Sequence, residues 1–374
     1  MSLRAMAKLR PSVDVSFDKV TVNADDKALR AKTGSSCLTK SAGGTRIFSL
    51  RSCPCEFSID LNMTNAPVSR PASEFWAITA YFNPVRYSRR LTNYRLFRER
   101  LGLPLVAVEL AYGPDFELDE TDADIVVRLR GADILWQKER LLDLALRSLP
   151  DDCRKVAWVD SDIIFDSSDW IERSRSMLDR FPLIQPFSHA YRMPSNWTVG
   201  DGLPPDVGAR RSVPYIIASG TPIAACLGSP ATRIHSAPGY IWAADRTLLD
   251  RHGLYDACIV GGAPVVIACA AYGFFDGALQ LQPLNKDHYL EWAVPFHAAV
   301  RGNVGFVEGK LYHLWHGDFV NRKYRARQEE LRNFRFDPFS DVAVDEQGVW
   351  RWNSEKPEMH KFISDYFFTR KEDG

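Results

Sequence analysis

A mostly parallel α/β sheet flanked by helices is the fold this sequence predicts, and three observations predict it. Apolar strand-like runs alternate with amphipathic stretches from Phe75 to Phe165. A strand, a helix and a further strand fit within about 35 residues at the start of that region, the length of a βαβ unit. Finally, the apolar run Lys155–Val159 drives into Asp160 and Asp162, then resumes as Ile163, Ile164 and Phe165. Acids at the end of a buried strand are costly unless something pairs with them, and open α/β sheets bind ligands at that edge.

Composition bounds the rest. The chain has 374 residues, enough for one large or two ordinary domains. Hydrophobic residues make up 45% and charged residues 25%, as in soluble globular proteins. Formal net charge is zero, so nothing favours nucleic acid or a polybasic membrane partner. We read no membrane-spanning apolar run and no signal-peptide pattern, which predicts a cytoplasmic protein without a membrane span. Peripheral contact with a membrane stays open. The seven cysteines, at 37, 53, 55, 153, 226, 258 and 269, are odd in number and lack zinc-finger spacing. Free thiols in a reducing compartment are expected, and Cys53-Pro54-Cys55 could bind metal only with distant partners.

In chain order, residues 1–72 form an extension, expected to be partly mobile, with strand-like pieces at Arg46–Leu50 and Phe57–Leu61. Phe75–Phe82 is a strand ended by Asn83-Pro84. Ser88–Leu101 is an amphipathic helix stopped by Gly102 and Pro104. Leu105–Leu110 and Ile125–Leu129 are strands, and Trp136–Leu149 is a helix leading to the acid-bearing strand. Asp169–Arg180 reads as a helix capped by Asp169, and Leu183–Phe187 as a short strand. Residues 188–237 have little periodicity and read as one long loop, of a length usually either functional or disordered. Beyond it lie a strand at Gly239–Ala244, a helix at Arg246–His252, and an apolar helix at Val265–Tyr272 behind Gly261-Gly262-Ala263-Pro264. A helix over 286–301 is expected to break near Pro295. A strand at Val304–Val307, the run Leu311–Gly317 and a charged helix at Asn321–Arg332 follow. The last forty residues or so carry aromatics and no clear period.

On an extended chain, positions i and i+2 point the same way. Asp160 and Asp162 can therefore converge on one hard divalent cation. The plain alternative is two solvated acids at a strand end.

Several stretches in this order resemble a nucleotide-sugar glycosyltransferase of the GT-A fold, D-x-D type and family-2-like. They are Phe75–Phe82, Trp136–Leu142, Val159–Asp162, Gly239–Ala244, Gly261-Gly262 and His313–Gly317. The resemblance implies a Rossmann-like catalytic domain over 73–332, with 1–72 as an N-terminal extension and 333–374 packed on the domain. It implies a hexosyltransferase-type enzyme using Mn²⁺ or Mg²⁺ and a UDP-sugar, with a saccharide or glycoconjugate acceptor. Asp160 and Asp162 would hold the ion, completed by His313 or His316; His316 is preferred because Gly317 permits close backbone approach. If the segment is extended, the two imidazoles point oppositely. Thr79, Ala80, Tyr81 and Asn83 would cradle base and ribose, although Tyr81 equally suits a core position. Gln137, Lys138, Arg140 and Ser161 would meet the nucleotide or diphosphate, the alternative for Lys138 and Arg140 being a solvated helix face. Tyr240 and Trp242, with Gly261 and Gly262, would line the sugar or acceptor; a core pair is the alternative for the two aromatics.

One departure stands out. Inverting members usually carry a general base after the glycine element, and here Ala263-Pro264 occupies that place. Asp256 is the nearest acid, with Asp245 and Asp276 also near. A base from elsewhere, a retaining transfer, or a noncatalytic nucleotide-sugar or glycan-binding protein all remain open. A sugar-1-phosphate nucleotidyltransferase is disfavoured, because no glycine-rich basic loop follows Phe82.

Overall fold

The computed structural model describes residues 73–228 and 236–374, all within the compact unit Ile59–Gly374. The expected pieces in 1–72, with Cys37, Cys53 and Cys55, lie outside the described residues. The chain opens with β1 (Phe75–Phe82), α1 (Ser88–Leu101), β2 (Leu105–Ala111), β3 (Ile125–Arg130), α2 (Lys138–Arg147) and β4 (Lys155–Val159). Past the acids come β5 (Ile163–Phe165), α3 (Trp170–Leu178), β6 (Leu183–Gln185), β7 (His189–Arg192), β8 (Arg210–Ser212), α4 (Val213–Ala218), α5 (Ile223–Leu227) and β9 (Ser236–Ala237). The next run holds β10 (Ile241–Asp245), α6 (Arg246–His252), α7 (Ala263–Ala271), α8 (Phe275–Leu281), α9 (Lys286–Val300), β11 (Val304–Phe306) and β12 (Lys310–His313). Last are α10 (Ala326–Asn333), α11 (Pro338–Asp341), β13 (Val342–Val344), β14 (Trp350–Trp352) and α12 (Pro357–Thr369).

The main sheet has seven strands in the order β11-β6-β10-β4-β1-β2-β3. Its neighbours pair in parallel except around β10, which runs antiparallel to β4 and β6. The expected mostly parallel sheet is therefore present. Every residue of β2 is buried, as a strand covered on both faces requires. Strand alternation sorts the side chains into two cores. Trp76, Ile78, Trp158 and Trp242 face α2, α7 and α9. Phe75, Ala77, Val159 and Ile241 face α1 and α3.

The structure corrects several expectations. Residues 188–237 are not one long loop: among the described residues they form β7, β8, α4, α5 and β9, part of a second sheet ordered β5-β12-β7-β8-β9. These strands are two to four residues long, too short for periodicity to register, and long-range pairing makes them. Helix α9 continues through Pro295 without ending there. Helix α8 had no counterpart in the sequence reading. Asp169 precedes α3, but its side chain accepts no capping bond from the helix and pairs instead with Arg173 at 2.5 Å. The C-terminal stretch is ordered as α11, a β13–β14 hairpin and α12, with Met359 and Ile363 packed on Leu135 and Ile259. No described helix is long and apolar enough to cross a membrane. Cys153, Cys226 and Cys258 are buried thiols outside any disulfide.

Candidate functional site

Strand β4 ends at Val159, and the next residue is stitched to Tyr240, just before the start of β10. The Asp160 N–H donates to the Tyr240 carbonyl at 2.8 Å, and the Tyr240 N–H donates to Asp160 Oδ2 at 3.2 Å. Tyr240 adopts a left-handed φ of 76° to make this exchange, a conformation costly for an aromatic residue and often found at functional sites. Beyond it, β5 pairs antiparallel with β12, setting His313 opposite Ile163. The Leu314 N–H donates to the Asp162 carbonyl at 2.8 Å. The chain then turns through Gly317, at φ +85°.

That turn brings both histidines to Asp162. Asp162, His313 and His316 each offer a ligand atom, all within 4.8 Å of one another. His316 Nε2 lies 2.9 Å from Asp162 Oδ2, and His313 Nε2 lies 3.7 Å from Oδ1. The two Nε2 atoms face each other at 3.2 Å, so at most one carries a proton between them. Asp162 Oδ1 is buried without a hydrogen-bond partner. An orphaned carboxylate oxygen beside two converging imidazole nitrogens fits a divalent cation. The residues between the two histidines are neither helix nor continued strand, so both imidazoles converge on Asp162 rather than pointing oppositely.

Asp160 plays a different part from the one expected. Its carboxylate accepts from Lys138 Nζ and from Tyr240 N–H, and it stands outside the three-residue cluster. Burial pushes the Asp160 carboxyl up, with Lys138 opposing. Burial also works against ionised Asp162, but His313 and His316, then Arg322, outweigh it and hold that carboxyl well below the usual range. Burial holds His313 well below its ordinary value, leaving the neutral, ligand-competent imidazole. On its far side, His316 Nδ1 faces Glu372 Oε1 at 3.7 Å. Glu372 is fully buried, receives Arg90 through two bonds of 2.5 and 3.0 Å, and also pairs with Arg370.

Two cavities meet at this cluster. The smaller, about 100 Å³, lies over the end of β1 and is lined by Ala80, Tyr81, Arg90, Lys138, Asp160, Ser161, Asp162 and His316 among others. The larger, about 460 Å³, shares Trp136, Lys138, His316 and Arg370 with it and extends over Tyr240, Gly262 and Gln282. Of the expected nucleotide residues, Ala80, Tyr81, Lys138, Asp160, Ser161 and Asp162 gather in the smaller cavity.

Others are turned elsewhere. Thr79 is fully buried and donates to the Val159 carbonyl at 2.8 Å, tying β1 to β4. Asn83 lines a separate recess, bonding Tyr87 and Glu117. Gln137 clamps the backbone of Trp350 from both sides, at 2.8 and 3.0 Å. Arg140 reaches Asp256 at 3.2 Å, so Asp256 is held by a guanidinium, and it lines neither cavity. Trp242 does not share a surface with Tyr240. It is 1% exposed and stacks on Trp158 in the opposite core, because Tyr240 lies outside the strand and its left-handed backbone breaks the alternation. Gly261 packs its backbone on Trp136 and accepts from Gln328, while Gly262 lines the larger cavity.

The sequence reading missed Glu139, Arg192, Arg322, Arg327 and Glu372. Glu139 is the carboxylate that lines the larger cavity, and burial pushes it up to about 7, with Lys138 opposing. Its position next to Lys138 was a signal, but only helix phase tells which way it points.

No family model matches this chain, and no curated protein matches it. Among solved structures, the chain is similar to Staphylococcus aureus TarS in complex with UDP-GlcNAc, at 10% identity and TM-score 0.36, covering 79% of this chain and 72% of that one. A glucosyl-3-phosphoglycerate synthase from Mycobacterium tuberculosis, in complex with Mn²⁺, UDP and phosphoglyceric acid, aligns at 13% identity and TM-score 0.34, covering 72% of this chain and 81% of that one. A Drosophila β-1,4-galactosyltransferase 7, in complex with manganese, UDP-Gal and xylobiose, aligns at 12% identity and TM-score 0.34, covering 77% of this chain and 98% of that one.

Proposed function

We propose that this chain is a metal-dependent GT-A glycosyltransferase, taking a sugar from a nucleotide diphosphate sugar, with a UDP-sugar as expected donor, to a saccharide or glycoconjugate hydroxyl. The observation that carries the reading is the Asp162–His313–His316 cluster, set between a small cavity over the end of β1 and a larger one beyond. Residues 73–332 would be the catalytic unit, with 1–72 and 333–374 as its extensions. When bound, Mn²⁺ or Mg²⁺ supplies charge stabilisation to a diphosphate leaving group. Asp162, His313 and His316 would hold it. Lys138, bonded to Asp160 where the two cavities join, would supply positive charge beside the same leaving group. Glu139 faces the larger cavity and would accept the proton of the acceptor hydroxyl, the part first sought in Asp256.

Calorimetric titration of UDP, with and without Mn²⁺, tests the donor half. We expect Mn²⁺-dependent binding that weakens at least about tenfold in Asp162→Ala. Binding indifferent to both the ion and the substitution would sink the reading. A noncatalytic binder is the second reading, motivated by the absence of an acid after the glycine element. Slow hydrolysis of a UDP-sugar panel by the wild type, absent in Asp162→Ala, separates an enzyme from a binder.

A further inference from the structure

We infer that the larger cavity binds an oxyanion, so that the acceptor is a hydroxy compound carrying a phosphate or carboxylate group. The inference rests on the donor reading above and adds the class of the second substrate.

Arg192, Arg322 and Arg327 line this cavity and not the smaller one. None of the three forms an ion pair among the described residues, whereas the other two cations at the junction are satisfied: Lys138 by Asp160 and Arg370 by Glu372. Arg322 is 6% exposed and Arg327 4%, and the Nε of each is buried without an acceptor. Their remaining bonds go to neutral groups: Arg322 to the Tyr324 hydroxyl at 3.1 Å and the His316 carbonyl at 3.4 Å, and Arg327 to the Arg322 carbonyl at 3.4 Å. Arg192 donates to the Tyr240 hydroxyl at 3.1 Å. Arg327 also lies over the Tyr324 and Tyr366 rings and Arg192 over Phe319, but neither neutral acceptors nor ring faces supply the counter-charge of a guanidinium withdrawn from water.

The local field agrees with this geometry. Burial pulls Arg327 down to about 9, with Arg370 and Arg322 adding to the effect. Although burial opposes it, Tyr324 is drawn below its ordinary value by Arg322, Arg192 and Arg327. Asp162 reaches Arg322 only at longer range. Glu139, the carboxylate on the same cavity, forms no ion pair with any of the three among the described residues. A planar guanidinium fork matches phosphate and carboxylate oxygens pairwise, which makes an oxyanion the fitting counter-charge. Under the donor reading, the nucleotide's diphosphate would lie on the other side of the cluster, where Asp162, His316 and Lys138 line the smaller cavity.

The test is calorimetry on the full chain saturated with UDP and Mg²⁺, titrating inorganic phosphate and, separately, lactate. We expect saturable binding of at least one anion, weakened at least about tenfold in Arg327→Gln, while UDP affinity stays within about twofold. Arg192→Gln, at a half-buried position, carries the same test should Arg327→Gln fail to fold. Absence of saturable binding of both anions to the wild type overturns the inference. So does binding that ignores both substitutions, or UDP affinity that falls in parallel, which would assign the arginines to the donor. Titration of phosphate without UDP keeps the two readings apart: an arginine-dependent anion site on a chain that never binds UDP supports the cavity chemistry and overturns the donor reading alone.

Discussion

Asp160 and Asp162 stand two residues apart and carry opposite electrostatics. Asp160 is pushed up by burial and anchored by Lys138, while Asp162 is drawn down by two imidazoles and Arg322. Division of labour follows, one carboxylate locking the neighbouring strand and the other offering an unpartnered oxygen. Glu139 is the third acid that matters. Its carboxyl is raised to about 7 by burial, so the basic form grows as pH rises towards that value. Turnover should therefore climb about tenfold per pH unit below 7 and level off above it. Glu139→Gln should flatten that limb and lower kcat by about 10²–10⁴-fold, read from a pH–rate profile. The stability sign runs the other way: a raised folded-state value favours the fold at acid pH, and that contribution is lost as pH rises through about 7. Glu139→Gln should accordingly unfold at a higher temperature than wild type above pH 7. A variant with an unchanged pH profile would remove Glu139 from the chemistry.

At the scale of elements, the start of α2 sends consecutive residues to separate destinations. Gln137 clamps Trp350, Lys138 meets Asp160, Glu139 faces the larger cavity and Arg140 holds Asp256. A helix turns about 100° per residue, so the four side chains fan out, with Lys138 and Glu139 bordering the larger cavity and Gln137 and Arg140 directed away from it. Of the three residues expected at the nucleotide, Lys138 lines both cavities, while Gln137 and Arg140 line neither. The turn after β12 is the other decisive element. At Gly317 the φ is +85°, and a Cβ there would lie 2.7 Å from the Lys371 carbonyl oxygen and 2.8 Å from that of Arg370. Gly317→Ala should therefore destabilise by about 1–2 kcal/mol or more from backbone strain alone. It should also push the chain end away from His316. Thermal unfolding measures the first effect and Mn²⁺ titration the second; an alanine variant indistinguishable from wild type in both would show that this approach is not needed.

The whole molecule closes its site with its own C-terminal residues. Glu372 joins Arg90 on α1, Arg370 and His316, and burial alone would disfavour its charge. Arg90 and Arg370, then His316, reverse that effect and hold the carboxyl well below its ordinary value. Tyr87 adds bonds to the carbonyls of Phe367 and Phe368 at 3.1 Å. Carboxylates that orient a metal-binding imidazole typically matter about 10–100-fold in affinity. Deleting residues 370–374 should weaken Mn²⁺ binding by that factor while the core stays folded, since the two main clusters contain no residue beyond Phe367. Calorimetry and circular dichroism on the truncated chain check both halves, and undiminished Mn²⁺ affinity would detach the C-terminus from the site.

Local sequence determined what depends on local chemistry. Continuous apolar runs specified β1, β2 and β4, Gly102 ended α1, and an acid pair at a strand end marked the edge where the candidate site lies. His313 and His316 were legible as ligand types near a glycine turn. Tertiary structure alone decided which groups converge: that both imidazoles reach Asp162 while Asp160 does not join them, that Trp242 is core, that Asp256 is tied to Arg140, and that Glu139, Arg322, Arg327 and Glu372 surround the site. Short strands paired across long stretches of sequence, and a C-terminus folded back on α1, leave no periodic trace, because their stability comes from contacts between distant residues rather than from neighbours along the chain.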